Sequence, residues 1–475
     1  MNTSKVKDNN DHIETIEDKI EDSLLEIEWL IREKCHIRNS DSLEAVEKKI
    51  NDAANRLSAN ILAQKIQQSF DSPNFQSNAE ELINAIPKKL KNQGPRDIKI
   101  TTSSGEKIEV RTNYYSQSGQ KSNRAKKKRK GVYLGLILVG IHDHITPNLG
   151  SDISCTSVIV GSLNEARQVL EERGVHLDVK TIITVSKRYA QRAKAAQQRE
   201  ELAFNETLAG CRVVVSVDGG RIRIREKKRG PKTQKGRNRY SAEWREPKLL
   251  TIYLVNDQGK VDRSFAPFID GTMKGPDAIF GMMKYYLKKL TITKADKILF
   301  VADGARWIWN RVEGLMSSLG LSSDQVYQLL DFYHAVEHLG KVANLQKKWK
   351  KSVKKHWIKK NRGLLLKGKV NEVIDEIKQR CRGRRCKKVR TERDYFIRNR
   401  KRMHYAFISN MHLPIGSGAM ESAIRRVINL RLKGASMYWL RETAEAMLML
   451  RSYYKAGRWN MLKSLSFSVQ VENAI

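Results

Sequence analysis

Val213-Val214-Val215-Ser216-Val217-Asp218-Gly219-Gly220-Arg221-Ile222-Arg223-Ile224-Arg225 is an apolar run that stops at an acid, passes two glycines and resumes as a strict alternation of cation and isoleucine. It reads as a buried strand, a tight turn and a half-exposed strand, with Asp218 at the tip of the first. The device recurs downstream. Ile298-Leu299-Phe300-Val301 runs toward Asp303-Gly304 and a helix-like segment follows, so a second strand delivers a carboxylate to its end.

Around these stretches, Lys248 to Val255 reads as a third strand, closed by an Asn256-Asp257-Gln258-Gly259 turn. Asp277 to Leu290 and Ala305 to Leu319 read as helices, and Val326 to Leu330 as a last strand. The resulting order is βββαβαβ. Three successive strands followed by alternation with helices is the layout of an RNase H-like mixed sheet covered by helices. Beyond Leu330 the chain is helical and very basic, through Lys341 to Lys360 and Lys378 to Arg402. A Pro414-Ile415-Gly416-Ser417-Gly418 loop then leads into a helix that carries Glu421. On it Met420, Ala423, Ile424 and Val427 form a buried stripe that Glu421 flanks, while Arg425, Arg426, Asn429, Arg431 and Lys433 face outward.

Phosphodiester transfer needs an activated water or 3′-OH, charge neutralisation at phosphorus and in-line geometry. Two divalent ions roughly 4 Å apart supply all three, and such hard cations take oxygen ligands from acids that converge from separate elements. Asp218, Asp303 and Glu421 suit that task as two strand-end acids and one helical acid. Each also has a plainer reading. An Asp before Gly is commonly a turn former, and Glu421 with Arg425 four residues on is commonly a surface ion pair. Trp307, Trp309, Tyr438 and Trp439 lie near these acids in sequence; at least two are expected in the core, and one could stack on an unpaired base.

The formal charge of +37 over 475 residues points to a polyanionic partner, nucleic acid first. With 40% hydrophobic residues, packed cores are affordable and global disorder is not expected. The longest apolar run, Val132 to Ile141, is far shorter than the ~20 residues of a membrane-spanning helix. The polar, acidic start lacks a signal-peptide core, and five cysteines without a CxxC pair suggest neither a disulfide framework nor a zinc ribbon. A reducing cytoplasm fits, with nucleoid association when DNA is bound and no membrane partner.

Six regions follow. Residues 1–95 form an acidic helical region, with one amphipathic helix over Asp11 to Lys34 and another over Ser42 to Phe70. It reads as a capping hairpin, a multimerisation arm or an acidic cover for a basic groove. Residues 96–150 hold a hairpin, Ile98 to Thr102 against Lys107 to Arg111, and a basic loop with Lys126, Lys127, Lys128 and Arg129. Within 151–205, Ser162 and Asp178 can cap two short helices joined at Gly174, the second bearing Lys187 and Arg188. That pattern is a helix-turn-helix or an ordinary helical hairpin. Residues 206–332 are the first part of the RNase H-like core, 333–413 a basic helical insertion and 414–475 the closing helices. A second basic loop, Glu226 to Tyr240, contains Lys228 and Arg229. The fold class is therefore multidomain α+β, mostly helical at its N-terminal end.

Four blocks resemble bacterial insertion-sequence transposases of the ISKra type. They are Val215-Ser216-Val217-Asp218-Gly219-Gly220-Arg221-Ile222-Arg223; Ala302-Asp303-Gly304-Ala305 with Trp307-Ile308-Trp309-Asn310; Leu330-Asp331-Phe332-Tyr333-His334-Ala335-Val336-Glu337-His338-Leu339; and Gly416-Ser417-Gly418-Ala419-Met420-Glu421-Ser422-Ala423 with Arg431-Leu432-Lys433-Gly434. The likeness covers roughly the C-terminal half. It implies a DDE transposase that cleaves and joins DNA at the ends of its own insertion sequence. Asp218, Asp303 and Glu421 would be the catalytic acids and ligands to two Mg²⁺ or Mn²⁺ ions. The implied partners are double-stranded DNA, as transposon ends and target, and further copies in a homodimer or higher multimer on DNA. Asp331-Phe332-Tyr333-His334 is also similar to the acid-x-x-His element of eukaryotic relatives, which implies an accessory role for Asp331 and His334 at the scissile phosphate or a ligand. Related chains carry a cysteine pair near the position of Tyr114 and Tyr115; its absence here argues against zinc-assisted end recognition.

Two other readings compete. A transposase-derived DNA binder without turnover would share the charge and the motifs. His334-Ala335-Val336-Glu337-His338 spells the HxxEH of inverted zinc peptidases, although a peptidase leaves the charge unexplained.

Overall fold

The computed structural model describes residues 15–85, 90–117, 131–200, 204–234, 236–383 and 386–467. The described residues form two compact units, those up to 196 together with those from 465 on, and those within 197–464.

The first unit opens with α1 (Ile16–Arg32), α2 (Ser40–Asp71) and α3 (Pro73–Ala85). Thr15 and Asn39 begin α1 and α2 through capping boxes with Asp18 and Ser42, satisfying N–H groups that have no helical partner. Strands β1 (Leu90–Thr101), β2 (Lys107–Gln117) and β3 (Gly131–Tyr133) form an antiparallel sheet. Its Ile98, Ile100, Ile108 and Val110 bury against Ala59, Ala63 and Phe70 of α2. Helices α4 (Leu134–Leu138), α5 (Pro147–Ile159), α6 (Leu163–Glu171) and α7 (Val179–Gln198) follow. The expected caps are present, Ser162 Oγ accepting from Glu165 N and Asp178 Oδ1 from Thr181 N. The sequence reading had no counterpart of α5, although its Leu149 and Ile153 meet Leu170 of α6 and Ile182 of α7 in one core.

The second unit is built on strands β4 (Arg212–Gly219), β5 (Ile222–Lys227), β6 (Tyr240–Arg245), β7 (Lys248–Val255) and β8 (Phe268–Thr272), then α8 (Pro276–Lys289), β9 (Lys297–Ala302), α9 (Arg306–Ser318) and β10 (Val326–Leu330). The central sheet runs β10-β9-β4-β7-β8. Its β4, β9 and β10 are parallel, whereas β7 and β8 are antiparallel to their neighbours. One element departs from expectation. The alternating Arg221 to Arg225 strand is absent from this sheet and pairs with β6 in a separate ribbon, while β8 supplies the third strand of the meander. Burial gives the reason. The sheet is covered on both faces, so its strands must be buried along their length, as β7 is at every position, and a strand with a cation at each second residue does not enter.

Alternate residues of β4 serve different cores. Val213, Val215 and Val217 meet Ile279 and Met283 of α8 and Ile308 and Val312 of α9. Val214 joins Leu299, Val301 and Leu329 under α10 (Phe332–Asn344), α11 (Lys351–Leu366), α12 (Val370–Cys381), α13 (Lys387–Asn399) and α14 (Tyr405–Asn410). The basic stretch is thus a helical layer on one face of the sheet. The short helix α15 (Gly418–Ala423) passes into a π-helical turn (Ile424–Asn429), and α16 (Arg441–Lys455) and α17 (Trp459–Phe467) close the described chain. Among the described residues no helix is long and apolar enough to cross a membrane.

Candidate metal centre

Register assembles the site. Val215 lies opposite Phe300, and Ala302 opposite Leu330, in parallel ladders. The C-terminal ends of β4, β9 and β10 therefore share one edge of the sheet, with Asp218 next to last in β4 and Asp303 and Asp331 directly after β9 and β10. Asp331 N donates to Ala302 O at 2.8 Å, which fixes the last two side by side.

The carboxylates differ in environment. Asp218 Oδ1 accepts from Gly219 N at 2.6 Å, and burial pushes its carboxyl up to about 6. The charges of Asp303 and Glu246 push in the same direction, while the Gly219 contact and His334 oppose it. Asp303 Oδ1 accepts from Ala305 N at 2.9 Å, and Trp309 Nε1 donates to Asp303 O at 2.7 Å, anchoring the turn that carries the acid. Asp331 is fully buried. Its Oδ2 accepts from both N and Oγ of Ser417 at 2.5 Å, and its Oδ1 from His334 N at 2.8 Å. Burial alone would raise the Asp331 carboxyl, but the contacts with His334 and Ser417 outweigh it and hold it at about 2.

His334 links these acids. Its Nδ1 is 3.6 Å from Asp331 Oδ1, and that contact raises the imidazole to about 9 against the opposing effect of burial, with Asp303 and Glu337 contributing. Nδ1 is buried and has no hydrogen-bond partner among the described residues. Glu421 is exposed on α15, one helical turn beyond Ser417, whose carbonyl accepts from Glu421 N at 3.0 Å. Ligand atoms of Asp331, His334 and Glu421 all lie within 4.8 Å of one another. The structure therefore joins Glu421 directly to the accessory pair. Asp218 and Asp303 are coupled to each other and to His334 by charge, and are not part of that 4.8 Å group. Two carboxylates, an imidazole with a buried open nitrogen and two further acids at the same sheet edge are a donor set that suits a divalent cation.

Two residues escaped the sequence reading. Glu246 packs its carboxylate against Gly219, where a side chain could not fit, and pairs with buried Lys248 Nζ at 2.7 Å, itself 4.0 Å from the Trp307 ring centre. The Gly219↔Lys248 register of β4 and β7 was the signal that could have found it. Ser417 is the other, detectable only through its long-range bond to Asp331.

The expected DNA-contacting residues are scattered. Lys126, Lys127, Lys128 and Arg129 lie outside the described residues. Lys228, Arg229, Arg425 and Lys433 are exposed, Lys187 and Arg426 half-buried, and exposed Arg188 pairs with Asp143. Arg431 corrects the expectation: it is 2% exposed and stacks on Trp439 at 5.5 Å. The outward assignment assumed an unbroken 3.6-residue period, but the π turn shifts the phase, so Leu430 faces solvent instead. Trp309 and Trp439 are core residues. His338 Nδ1 contacts Glu392 at 2.6 Å and its ring stacks on Tyr395, so the two histidines of the HxxEH string are not turned to one ligand site.

Comparison with known protein families, curated proteins and solved structures gives no match for this chain.

Proposed function

We propose that the protein is a divalent-metal-dependent DNA phosphodiester-transfer enzyme, a DDE transposase on an RNase H-like sheet that works with Mg²⁺ or Mn²⁺. The observation that carries this reading is the convergence of Asp218, Asp303 and Asp331 at one sheet edge, with His334 and Glu421 beside them. The order β8-β7-β4-β9-β10, a three-strand meander flanked by two parallel strands and helices on both faces, supports the fold assignment. Burial and mutual repulsion raise Asp218 to about 6, a penalty that a bound dication would relieve.

Asp218, Asp303 and Glu421 would hold the ions, with Asp331 and His334 as further donors. Bound there, the ions supply Lewis-acid activation of the attacking oxygen and stabilisation of the leaving one. The chain's own groups do the rest. Ser417 and Asp331 hold the start of α15 so that Glu421 faces the sheet edge. His334 would give up the proton it holds at neutral pH when it joins the ions as a donor. The capped pair α6 and α7, with Lys187 and Arg188, supports a helix-turn-helix reading for duplex DNA, held by two or more copies of the chain.

Supercoiled plasmid and duplexes carrying candidate ends, incubated with Mg²⁺, test the proposal. Nicking or strand transfer that disappears with a chelator and in Asp218→Asn and Asp303→Asn supports it. Tight DNA binding without cleavage by the folded protein supports the non-catalytic DNA binder instead.

A further inference from the structure

The β5–β6 ribbon leaves the central sheet two residues after β4 ends and carries an unusual outer face. In its antiparallel register Arg223 lies opposite Trp244, Arg225 opposite Ala242 and Lys227 opposite Tyr240. Ile222 and Ile224 are buried on the inner face, which also takes the acids: Glu226 and Glu243 both pair there with Arg245. The outer face holds cations and rings and no acid. Trp244 is 53% exposed and Tyr240 45% exposed.

The rings are fixed in place. Arg223 lies 4.7 Å from the Tyr438 ring centre and 5.5 Å from that of Trp244, and its guanidinium donates to Gly434 O at 3.0 Å. Arg225 lies 4.7 Å from the Tyr240 ring, which in turn tilts against Tyr438 at 5.8 Å. Backbone bonds from Arg225 N to Trp439 O at 2.7 Å and from Trp439 N to Arg223 O at 2.9 Å tie the ribbon edge to the segment bearing Tyr438. Beyond the ladder, the loop from Lys228 to Arg239 contains no acid and exposes Lys228, Arg229, Lys232, Arg237 and Arg239.

We propose that this outer face binds an unpaired nucleic-acid strand. Trp244, Tyr240 and Tyr438 stack its bases, and Arg225, Lys227 and the loop cations hold its phosphates. Stacking on aromatic rings tolerates any base because every base has a π face, and interleaved cations follow the backbone. A duplex would hide its base faces and use only the cations. An apolar protein partner would not need a face on which every side chain but Ala242 is a cation or a ring. The ribbon begins beside Asp218, so a strand opened at the acidic edge meets these rings next. The inference rests on the nucleic-acid part of the functional reading and is independent of cleavage.

The test uses the full chain with chelator present, so that binding is read without turnover. Anisotropy of a labelled oligothymidylate and of a blunt duplex is measured for wild type, Trp244→Ala with Tyr240→Ala, and Trp244→Phe with Tyr240→Phe. The alanine pair is expected to weaken single-strand affinity about 10-fold or more, as loss of base–aromatic stacking does. Duplex affinity should stay within about twofold, and the phenylalanine pair should keep single-strand affinity near wild type. Unchanged single-strand affinity, or an equal loss on both DNAs, overturns the proposal. Wild type that binds duplex but no single strand defeats this proposal alone; wild type that binds neither defeats the nucleic-acid reading as well.

Discussion

Ser417 donates to Asp331 twice, from its backbone N and its Oγ, to the same carboxylate oxygen at 2.5 Å. This contact spans the whole helical insertion and ties the end of β10 to the start of the Glu421 helix. Gly416 beside it has no room for a side chain, since a Cβ there would sit 2.7 Å from the Tyr333 ring. Ser417→Ala removes one donor from a fully buried carboxylate and is expected to cost about 2 kcal/mol, the range for a bond to a charged group. Urea denaturation followed by tryptophan fluorescence measures it, and metal affinity should fall in parallel because Glu421 loses its anchor.

Asp218→Asn should stabilise the metal-free protein. A carboxyl raised from 3.8 to about 6 in the folded state opposes folding once pH exceeds its unfolded value, and the penalty is complete above pH 6. At pH 8 in chelator the variant should gain up to about 3 kcal/mol, since each tenfold weakening of the acid on folding is worth roughly 1.4 kcal/mol. The gain should vanish near pH 4, and saturating Mg²⁺ should reverse the order of the two proteins. Denaturation midpoints at the two pH values, with and without metal, check both signs.

His334 sets a pH dependence of its own. Its pKa is raised to about 9, so the stability contributed by its pairing with Asp331 is complete below about 6.5 and is lost as pH rises through 9. A dication placed among the same acids opposes that proton. Metal uptake at pH 7 should therefore release protons, and affinity should climb between pH 7 and 9. Titration calorimetry in buffers of different ionisation enthalpy reads the proton count, and His334→Gln should flatten the climb.

Gly220 receives the Glu421 helix. A Cβ there would come within 2.6 Å of Ile428 Cδ1, on the π turn that continues α15. Gly220→Ala should cost roughly 1–3 kcal/mol through overpacking and should lower cleavage by displacing Glu421. Adding Ile428→Ala should restore more cleavage than stability, since it clears the contact and leaves a cavity.

The buried position of Arg431 also makes a prediction. Arg431→Ala should destabilise the fold with little effect on the salt dependence of DNA binding, whereas Lys433→Ala should reduce the salt slope with little effect on stability. Denaturation and binding at several salt concentrations separate the two.

The strand tips were legible because Asp218 and Asp303 each close an apolar run, and a polar group can stop a buried strand only at its end. β8 was not legible, because an Asp-Gly pair, Asp270-Gly271, interrupts its apolar run and such a pair is a turn signal. In the fold Asp270 is buried and accepts from Tyr286 Oη at 2.6 Å and Gln197 Nε2 at 3.1 Å. Ribbon strand β5 was recognised as a strand and assigned to the wrong sheet, since alternation reports exposure on one face and says nothing of which partner lies alongside. The proximity of Glu421 to Asp331 and His334 depends on the Ser417 bond across 86 residues, which no local pattern encodes.

Mn²⁺ titration followed by electron paramagnetic resonance reads directly whether these acids hold divalent ions. The free-ion signal should be suppressed until two equivalents are bound per chain, and suppression should be lost when Asp218, Asp303 and Glu421 are together replaced by Asn, Asn and Gln in a protein that still folds. A wild-type chain that leaves the Mn²⁺ signal as the substituted chain does would show that these acids hold no divalent ion.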